Sequence, residues 1–160
     1  MTRVVLVPGA LALLPAYAGI EDPVAELRAA CLEAVAWLGS AVEVLGDAQG
    51  RRVGEALLEA SGVSTGAAAY LVVGNGSARR TEKAPGHLDE RAAAFDEALG
   101  AALRAGRFEV DRALAGELLA AVEGIVAVGE LAADAGPATV DYNDDPFGVQ
   151  YWVMRWTCGS

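Results

Sequence analysis

The stretch AAYLVVGNGSARRTEKAPGHLDERAAAF, residues 68–95, decides how this chain is organised. Its apolar run, Tyr70–Val73, has the length and composition of a strand covered on both faces, as in a parallel sheet. A polar segment follows, residues 74–88, which we call the basic loop. Its basic side chains are Arg79, Arg80, Lys83 and His87, and the last two are the only lysine and the only histidine of the chain. In a protein of net charge −10, this strand end is therefore the first place to look for a site.

Upstream of this strand, short apolar runs alternate with segments of helical periodicity. Residues 4–7 and 41–45 are predicted strands, and residues 51–60 are a predicted helix. Asp22-Pro23 predicts the start of a helix that ends at Gly39, because the carboxylate accepts free amide protons and proline has none to satisfy. Strand, helix, strand, helix, strand at these intervals predicts right-handed parallel units.

Downstream, three helices precede two further strands. Asp89 is predicted to cap a helix that ends at Gly106, Asp111 to cap a second, and a third is predicted over 122–133. Residues 138–142 and 149–157 have the pattern of strands joined by a turn-rich connection, which favours an antiparallel hairpin. The prediction is a single α/β domain over residues 1–160, with a central, largely parallel sheet, flanking helices and a C-terminal antiparallel hairpin.

Composition excludes several classes of function. With 54% hydrophobic and 21% charged residues, the 160-residue chain has enough apolar material for one well-filled core. The acidic balance argues against nucleic acid and anionic membrane as partners, because a surface that follows phosphates needs a broad basic stripe. Cys31 and Cys158 lie far apart and form no CxxC pair, so we expect free thiols in a reducing cytoplasm, with neither a disulfide scaffold nor a zinc site.

The first residues imitate a secretory signal. Arg3, the apolar run 4–14 and Ala16-Tyr17-Ala18 follow the order of such a peptide. Because Pro8-Gly9 interrupts the run, we interpret Val4–Val7 as the first core strand instead. No other apolar run approaches the length of a bilayer span.

The basic loop begins with a partial glycine motif, Gly74-Asn75-Gly76-Ser77-Ala78-Arg79. It places Arg79 where a dinucleotide fingerprint has its third glycine, and no helix is predicted immediately after it, so the motif argues only weakly for a nucleotide. Its position is more informative, since ligands of open parallel sheets collect beyond the carboxyl ends of the strands. Arg79 and its basic neighbours in the loop are candidates to bind a carboxylate or phosphate; the alternative is that these charges are solvated or paired with nearby acidic residues.

His87 is the candidate general base, since no other side chain titrates near neutrality without perturbation. Ser77, His87 and Asp89 lie close enough in sequence to suggest a catalytic group, although triads usually converge from distant segments. The alternative is that His87 only closes the loop by hydrogen bonding, and that the glycines serve a turn.

Two features near the C-terminus allow a structural and a functional interpretation. Asp141, Asp144 and Asp145 offer oxygen ligands for a hard cation, but acidic residues before proline are ordinary turn formers. The aromatic run 151–156 suits either a strand buried between layers or a subunit contact, and it is our predicted surface for a homodimer.

Four stretches together resemble the class III extradiol dioxygenase-like proteins, which are related in fold to the catalytic LigB-type subunit of ring-opening dioxygenases. They are VVLVPGALALLP (4–15), DPVAELRAACLEAVAWL (22–38), LVVGNGSARRTEKAPGHLDERAAAFD (71–96) and YNDDPFGVQYWVMRW (142–156). The resemblance implies an α/β domain and a paired subunit. It also implies an Fe(II) site of two histidines and a glutamate, whose histidine positions correspond here to Gly9-Ala10 and Ala78. Because that site needs two imidazoles and the chain has one, ring cleavage by the usual route is excluded unless a partner chain supplies a ligand, and no metal or other cofactor is expected.

The resulting expectation is a cytoplasmic, homodimeric LigB-like domain without the iron site, with a repurposed pocket for a small organic anion or aromatic acid at the strand ends. The predicted ligand-binding residues are Gly9, Ala10, Asp47, Asn75, Gly76, Ser77, Arg79 and Asp141. One alternative is a metal-independent hydrolase or lyase with His87 as base, assisted by Ser77 or Arg79. Another is a non-enzymatic homodimeric interaction module.

Overall fold

The computed structural model describes residues 1–19, 21–132 and 135–159. Its strands are β1 (Thr2–Val7), β2 (Val42–Leu45), β3 (Ala69–Val73), β4 (Thr139–Asp144) and β5 (Tyr151–Cys158). Its α-helices are α1 (Ala25–Leu38), α2 (Ala48–Ser61), α3 (Ala92–Arg104), α4 (Arg112–Glu117) and α5 (Glu123–Leu131). The strands form one sheet in the order β2-β3-β1-β5-β4.

The sheet has a parallel half and an antiparallel half. β3 lies between β1 and β2 and is parallel to both, with Val5 opposite Leu71 and Val44 also opposite Leu71. β5 is antiparallel to both of its neighbours, β1 and β4. The α/β fold with a C-terminal antiparallel hairpin is confirmed, and β5 is its inner strand.

Helices cover both faces of the sheet. α1 and α2 pack on one face, where Val5, Leu71 and Val153 are fully buried beneath residues such as Cys31 and Leu57. On the opposite face, α3, α4 and α5 bury a second cluster that includes Leu6, Val72 and three residues of β5, namely Trp152, Met154 and Trp156. Apolar side chains on both faces of β1 and β3 explain why these strands are continuous apolar runs rather than alternating ones.

Two predicted helix starts are wrong by a few residues, because the aspartates bind something other than the first helical amides. One oxygen of Asp22 accepts a hydrogen bond from the Val24 amide, but the other accepts one from Arg28 at 2.6 Å, and α1 begins only at Ala25. Asp89 likewise binds Arg91, and α3 begins at Ala92. The predicted cap at Asp111 is confirmed, since its carboxylate accepts the Leu114 amide.

Two further helix boundaries also differ. α2 begins three residues before the predicted start, because the Asp47 side chain caps it by accepting the Gly50 amide at 2.7 Å. α5 ends at Leu131, and Ala133, where we predicted its end, lies outside the described residues.

The aromatic strand β5 is buried within this chain. Trp152, Met154 and Trp156 have exposed fractions of 2% or less, and the Trp156 indole donates to the Leu103 carbonyl at 2.9 Å. Because Tyr151 is buried as well, the aromatic side chains of this strand leave no surface for a partner. The prediction that these aromatic residues form a subunit contact is therefore wrong, and the alternative, burial between layers, is confirmed. Within the described residues, no helix is long and apolar enough to span a membrane.

Candidate functional site

The connections leaving β1 and β3 diverge to opposite faces of the sheet. β1 is followed by α1 on one face, whereas β3 is followed by α3 on the other. Neighbouring parallel strands whose connections part in this way leave a crevice beyond their carboxyl ends, which is the usual ligand position in open α/β sheets. The basic loop and the segment after β1 meet at this point.

The segment after β1 is held rigidly. Arg28 of α1 donates to the carbonyls of Ala12 and Leu13, each at 2.6 Å, while it is paired with Asp22. The Gly9 carbonyl accepts the Gln49 side-chain amide at 2.7 Å, which links this segment to the first turn of α2. A Cβ built on Gly9 would lie 3.7 Å from the Asn75 side-chain oxygen, so Gly9 and Asn75 are neighbours at the crevice.

The basic loop continues the sheet for a few residues by pairing with the segment before α5. Asn75 exchanges two backbone bonds with Ala121, and the amide of Ala78 donates to the Leu118 carbonyl. On its other side, the loop pairs with the residues before β5, where Gly76 donates to Gln150. The start of the loop is therefore fixed by backbone bonds on both sides.

Ser77 has a structural role. It is fully buried, its hydroxyl donates to the Leu118 carbonyl at 2.7 Å, and the same oxygen accepts the Arg79 amide at 3.0 Å. None of these bonds involves His87. The geometry therefore does not support Ser77 as a nucleophile or as a ligand contact, and the residue instead fixes the turn of the loop.

Gly76 is glycine because a carboxylate occupies the space beside it. A Cβ there would collide with the Asp96 carboxylate and would lie 2.8 Å from Cβ of Gln150. Asp96, on α3, uses that same oxygen to accept the Ser77 amide at 2.8 Å. The glycine at this position serves internal packing rather than the approach of a ligand.

Asp96 belongs to a bridged charge cluster. Arg80 donates to Asp96 at 2.8 Å and to Asp145 at 2.9 Å, which ties the basic loop to α3 and to the turn before β5. Burial raises the pKa of the Asp96 carboxyl, while the bonds from the Ser77 amide and from Arg80 act in the opposite direction. Arg80 is thus paired, in agreement with the structural alternative considered for it.

Arg79 points to a second internal cluster. Its guanidinium donates to the Glu117 carbonyl at 3.1 Å and lies 3.8 Å from the Asp89 carboxylate. Asp89 also binds the side chain and the backbone amide of Arg91, and these bonds lower the pKa of Asp89 to about 2. The Arg79 charge is therefore largely compensated within the chain.

His87 is exposed. It adopts a left-handed backbone conformation, with φ of 60°, and its amide donates to the Ala84 carbonyl at 2.9 Å. Its ring nitrogen is 3.4 Å from the Glu82 carbonyl. This arrangement suits a residue that closes the loop and gives no support to a general base aimed into a pocket.

The acidic residues near the C-terminus are separated by their own partners. Asp141 forms a two-bond pair with Arg155, at 2.7 and 3.0 Å, on the middle of β4 and away from the crevice. Asp145 binds Arg80, and Asp144 accepts the Asp145 amide. The structure does not bring Asp141 to the other predicted ligand-binding residues.

A cavity of about 370 Å³ opens beyond the carboxyl ends of β2 and β3. We call it the strand-end cleft, and it is lined by Asp47, Arg112, Gly116, Ala120, Ala121, Val122, Glu123 and Val126. Asp47 directly follows β2 in sequence, and Ala121 is hydrogen-bonded to Asn75. Of the predicted residues, Asp47 lines this cleft and Asn75 adjoins it, whereas Ala10 is packed in the core.

Arg112 and Asp96 were both missed in the sequence. Asp96 carried a recognisable sign, since it lies one residue after Phe95 on the inward side of α3, where a charged residue needs a partner. The sequence around Arg112 gives no such indication, because nothing in it shows that the segment between α4 and α5 returns to the strand ends. Within the described residues, Arg112 forms no ion pair.

In the described ranges, no three His, Cys, Asp or Glu side chains are grouped so that they could hold a metal ion. Ala10 is buried and Ala78 packs against the core, so the positions that the resemblance assigns to iron-binding histidines carry no imidazole. The donor set therefore does not fit a two-histidine, one-carboxylate iron centre. Comparisons with family models, curated proteins and solved structures find no match to this chain.

Proposed function

We propose that this chain is a LigB-like domain without dioxygenase chemistry, which binds a small organic anion such as an aromatic carboxylate in the strand-end cleft. The observation that carries the proposal is Arg112, an exposed guanidinium that lines a cleft at the carboxyl ends of the parallel strands and has no ion-pair partner among the described residues. The resemblance to extradiol enzymes, whose substrates are aromatic, supplies the choice of ligand class.

Arg112 has the chemistry that carboxylate recognition requires. Its planar guanidinium presents parallel N–H donors that match the two oxygens of a carboxylate. The apolar side chains of Ala120, Val122 and Val126 lie in the same cleft and offer a surface for a ring. Two carboxylates, Asp47 and Glu123, also line it, so the ligand must place its anionic end at Arg112 and its apolar body between them.

The proposal is tested by titrating isotopically labelled protein with benzoate, and separately with inorganic phosphate, while amide chemical shifts are recorded. We expect benzoate to shift the amides of residues 46–49 and 120–125 in a saturable way. Arg112→Gln should weaken benzoate binding by about tenfold or more, because a hydrogen bond to a charged group contributes roughly 1.5–3 kcal/mol.

Arg52→Gln is the matched control, since Arg52 is also exposed on a helix but does not line the cleft. It should leave benzoate binding unchanged. Benzoate shifts that are absent, or equal in the Arg112→Gln variant and the parent protein, would overturn the binding proposal. Iron at full occupancy in protein purified without oxygen would overturn the claim that dioxygenase chemistry is lost.

No specific observation favours either alternative function. For a hydrolase or lyase based on His87, the imidazole is exposed and lies outside the strand-end cleft. The interaction module loses the aromatic strand that was to carry its contact. We retain the homodimer and the cytoplasmic location as proposals that rest on the resemblance and on the free thiols. Light scattering over a range of concentrations tests the dimer, and a concentration-independent monomer would refute it.

A further inference from the structure

The outer surface of α3 carries a groove that the proposed function does not use. Its lining is Glu90, Arg91, Ala94, Phe95, Ala98, Leu99, Glu109, Val110, Asp111 and Leu114, and we call it the α3 groove. It encloses about 630 Å³, which is within the range of small-molecule sites. It shares no lining residue with the strand-end cleft.

The floor and walls of the groove are apolar. Phe95 and Leu99 of α3, with exposed fractions of 7% and 4%, form the floor of the groove. The other side chains that α3 contributes to the lining are the alanines Ala94 and Ala98. The spacing of these residues, i, i+1, i+4 and i+5, places them on one stripe of α3. Small residues on an exposed stripe leave room that longer side chains would fill.

The rim of the groove is acidic. Glu90, Glu109 and Asp111 are exposed carboxylates at its edge. The single cation of the rim, Arg91, is already paired with Asp89 at 2.9 Å and with Glu117 at 3.3 Å. An apolar groove edged by carboxylates that form no ion pair among the described residues, in a protein of net charge −10, favours a cationic ligand and repels an anionic one.

We propose that the α3 groove binds a small amphiphilic cation, a primary amine with an aromatic or short aliphatic body. The apolar body of the ligand lies on Phe95 and Leu99, and its ammonium group lies at the rim near Glu109 and Glu90. The dimensions favour a single small molecule, since the floor consists of two side chains on consecutive turns of one helix.

The test compares three ligands of matched size in amide-shift titrations of the full chain: 2-phenylethylamine, 2-phenylethanol and 3-phenylpropionate. We expect saturable shifts for 2-phenylethylamine in residues 90–99 and 109–114, with affinity about tenfold above that for 3-phenylpropionate, because several exposed charge contacts of this kind add up to roughly that ratio. The neutral alcohol should bind with intermediate affinity, and added salt should reduce the difference between amine and acid.

Two kinds of variant locate the site. Ala98→Trp fills the groove and should abolish the shifts, whereas Ala101→Trp, on an exposed position of α3 outside the groove, should not. The double variant Glu90→Gln and Glu109→Gln keeps the shape but should lower the affinity for the amine and leave that for the alcohol unchanged. Glu55→Gln, on α2, is its matched control.

Binding of 3-phenylpropionate as tightly as the amine, or amine shifts that survive Ala98→Trp, would overturn the proposal. So would shifts with a basic amphipathic helical peptide but none with 2-phenylethylamine, which would make the groove a surface for a protein. Because the titration with benzoate reports on residues 46–49 and 120–125, failure of one site is distinguishable from failure of the other.

Discussion

The basic loop and the strand-end cleft lie side by side at the carboxyl ends of the parallel strands, yet they differ in how their charges are used. In the basic loop, Arg80 is shared between two carboxylates and Arg79 is bound to a carbonyl beside Asp89. In the cleft, Arg112 has no such partner among the described residues. The difference shows that several charged side chains at a strand end do not by themselves make a binding site. Guanidinium groups that are already hydrogen-bonded within the chain have few free donors for a ligand.

The strongest test of this contrast is Gly76→Ala, which should collapse the packing of the basic loop. A methyl group would collide with the Asp96 carboxylate and would crowd Gln150, whose Cβ lies 2.8 Å from the new atom. We expect the free energy of unfolding, measured with urea, to fall by about 3 kcal/mol, as for an overpacked core position. Gly116→Ala, at a helical position that lines the strand-end cleft and has nothing within 4 Å of the new atom, should instead leave stability equal or slightly higher.

Asp96→Asn breaks the bridged cluster without changing its shape. The amide retains an acceptor for Ser77 but turns an N–H donor toward the N–H groups of Arg80, so we expect a loss of about 2 kcal/mol by urea denaturation. Because burial raises the pKa of Asp96, part of this loss is pH-dependent in a defined direction. The contribution of Asp96 to stability is highest below the unfolded pKa and decreases as pH rises through the folded pKa.

Asn at position 96 cannot titrate, so the variant should lose that pH dependence. Urea midpoints from pH 3 to pH 7 for the parent and variant proteins measure the difference. A variant with unchanged stability across this range would show that the cluster does not hold the loop.

In the strand-end cleft, Asp47 has two roles that substitution can separate. Asp47→Ala removes the cap of α2 and should cost about 1 kcal/mol, whereas Asp47→Asn keeps a capping oxygen and should be nearly neutral in stability. Both variants remove a negative charge from the cleft, so both should strengthen benzoate binding a few-fold, as expected for one exposed charge. If only one of the two variants bound benzoate more tightly, the change in affinity would come from the altered helix cap and not from the lost charge.

The smallest expected effect is a shift in acid stability. The pKa of Asp89 is lowered to about 2 by its bonds to Arg91. A carboxyl whose folded pKa is depressed contributes stability above its unfolded pKa, and that contribution is lost as pH falls through the folded value. Asp89→Asn should therefore flatten the fall in the urea midpoint between about pH 4 and pH 2, and parallel curves for the two proteins would contradict this assignment.

Much of the fold was predictable because its causes are local. The apolar runs of β1 and β3 mark strands buried on both faces, and Asp111 marks the start of a helix three residues before the amide that it binds. The helix starts predicted at Asp22 and Asp89 are displaced for one physical reason. Each carboxylate is paired with an arginine, which competes with the helical amides for its oxygens. The place of β5 beside β1 depends on which edge of the sheet is free, and that is not visible in local pattern.

The candidate site was less predictable, because its decisive contacts join distant segments. Arg80 and Asp145 are 65 residues apart, and Ser77 and the Leu118 carbonyl are 41 apart. Sequence alone showed that a polar loop follows a buried strand and that Asp47 follows another. It did not show that the loop would be held by the segment before α5, or that this segment would bring Arg112 to the strand ends.

The sequence by itself determined the alternation of strands and helices, the capped start of α4 at Asp111, and the two apolar faces of the sheet. These follow from hydrogen bonding and burial within a few residues. Only the tertiary structure decided which charges remain available, because an ion pair depends on which segments the packing of the core brings within reach of each other.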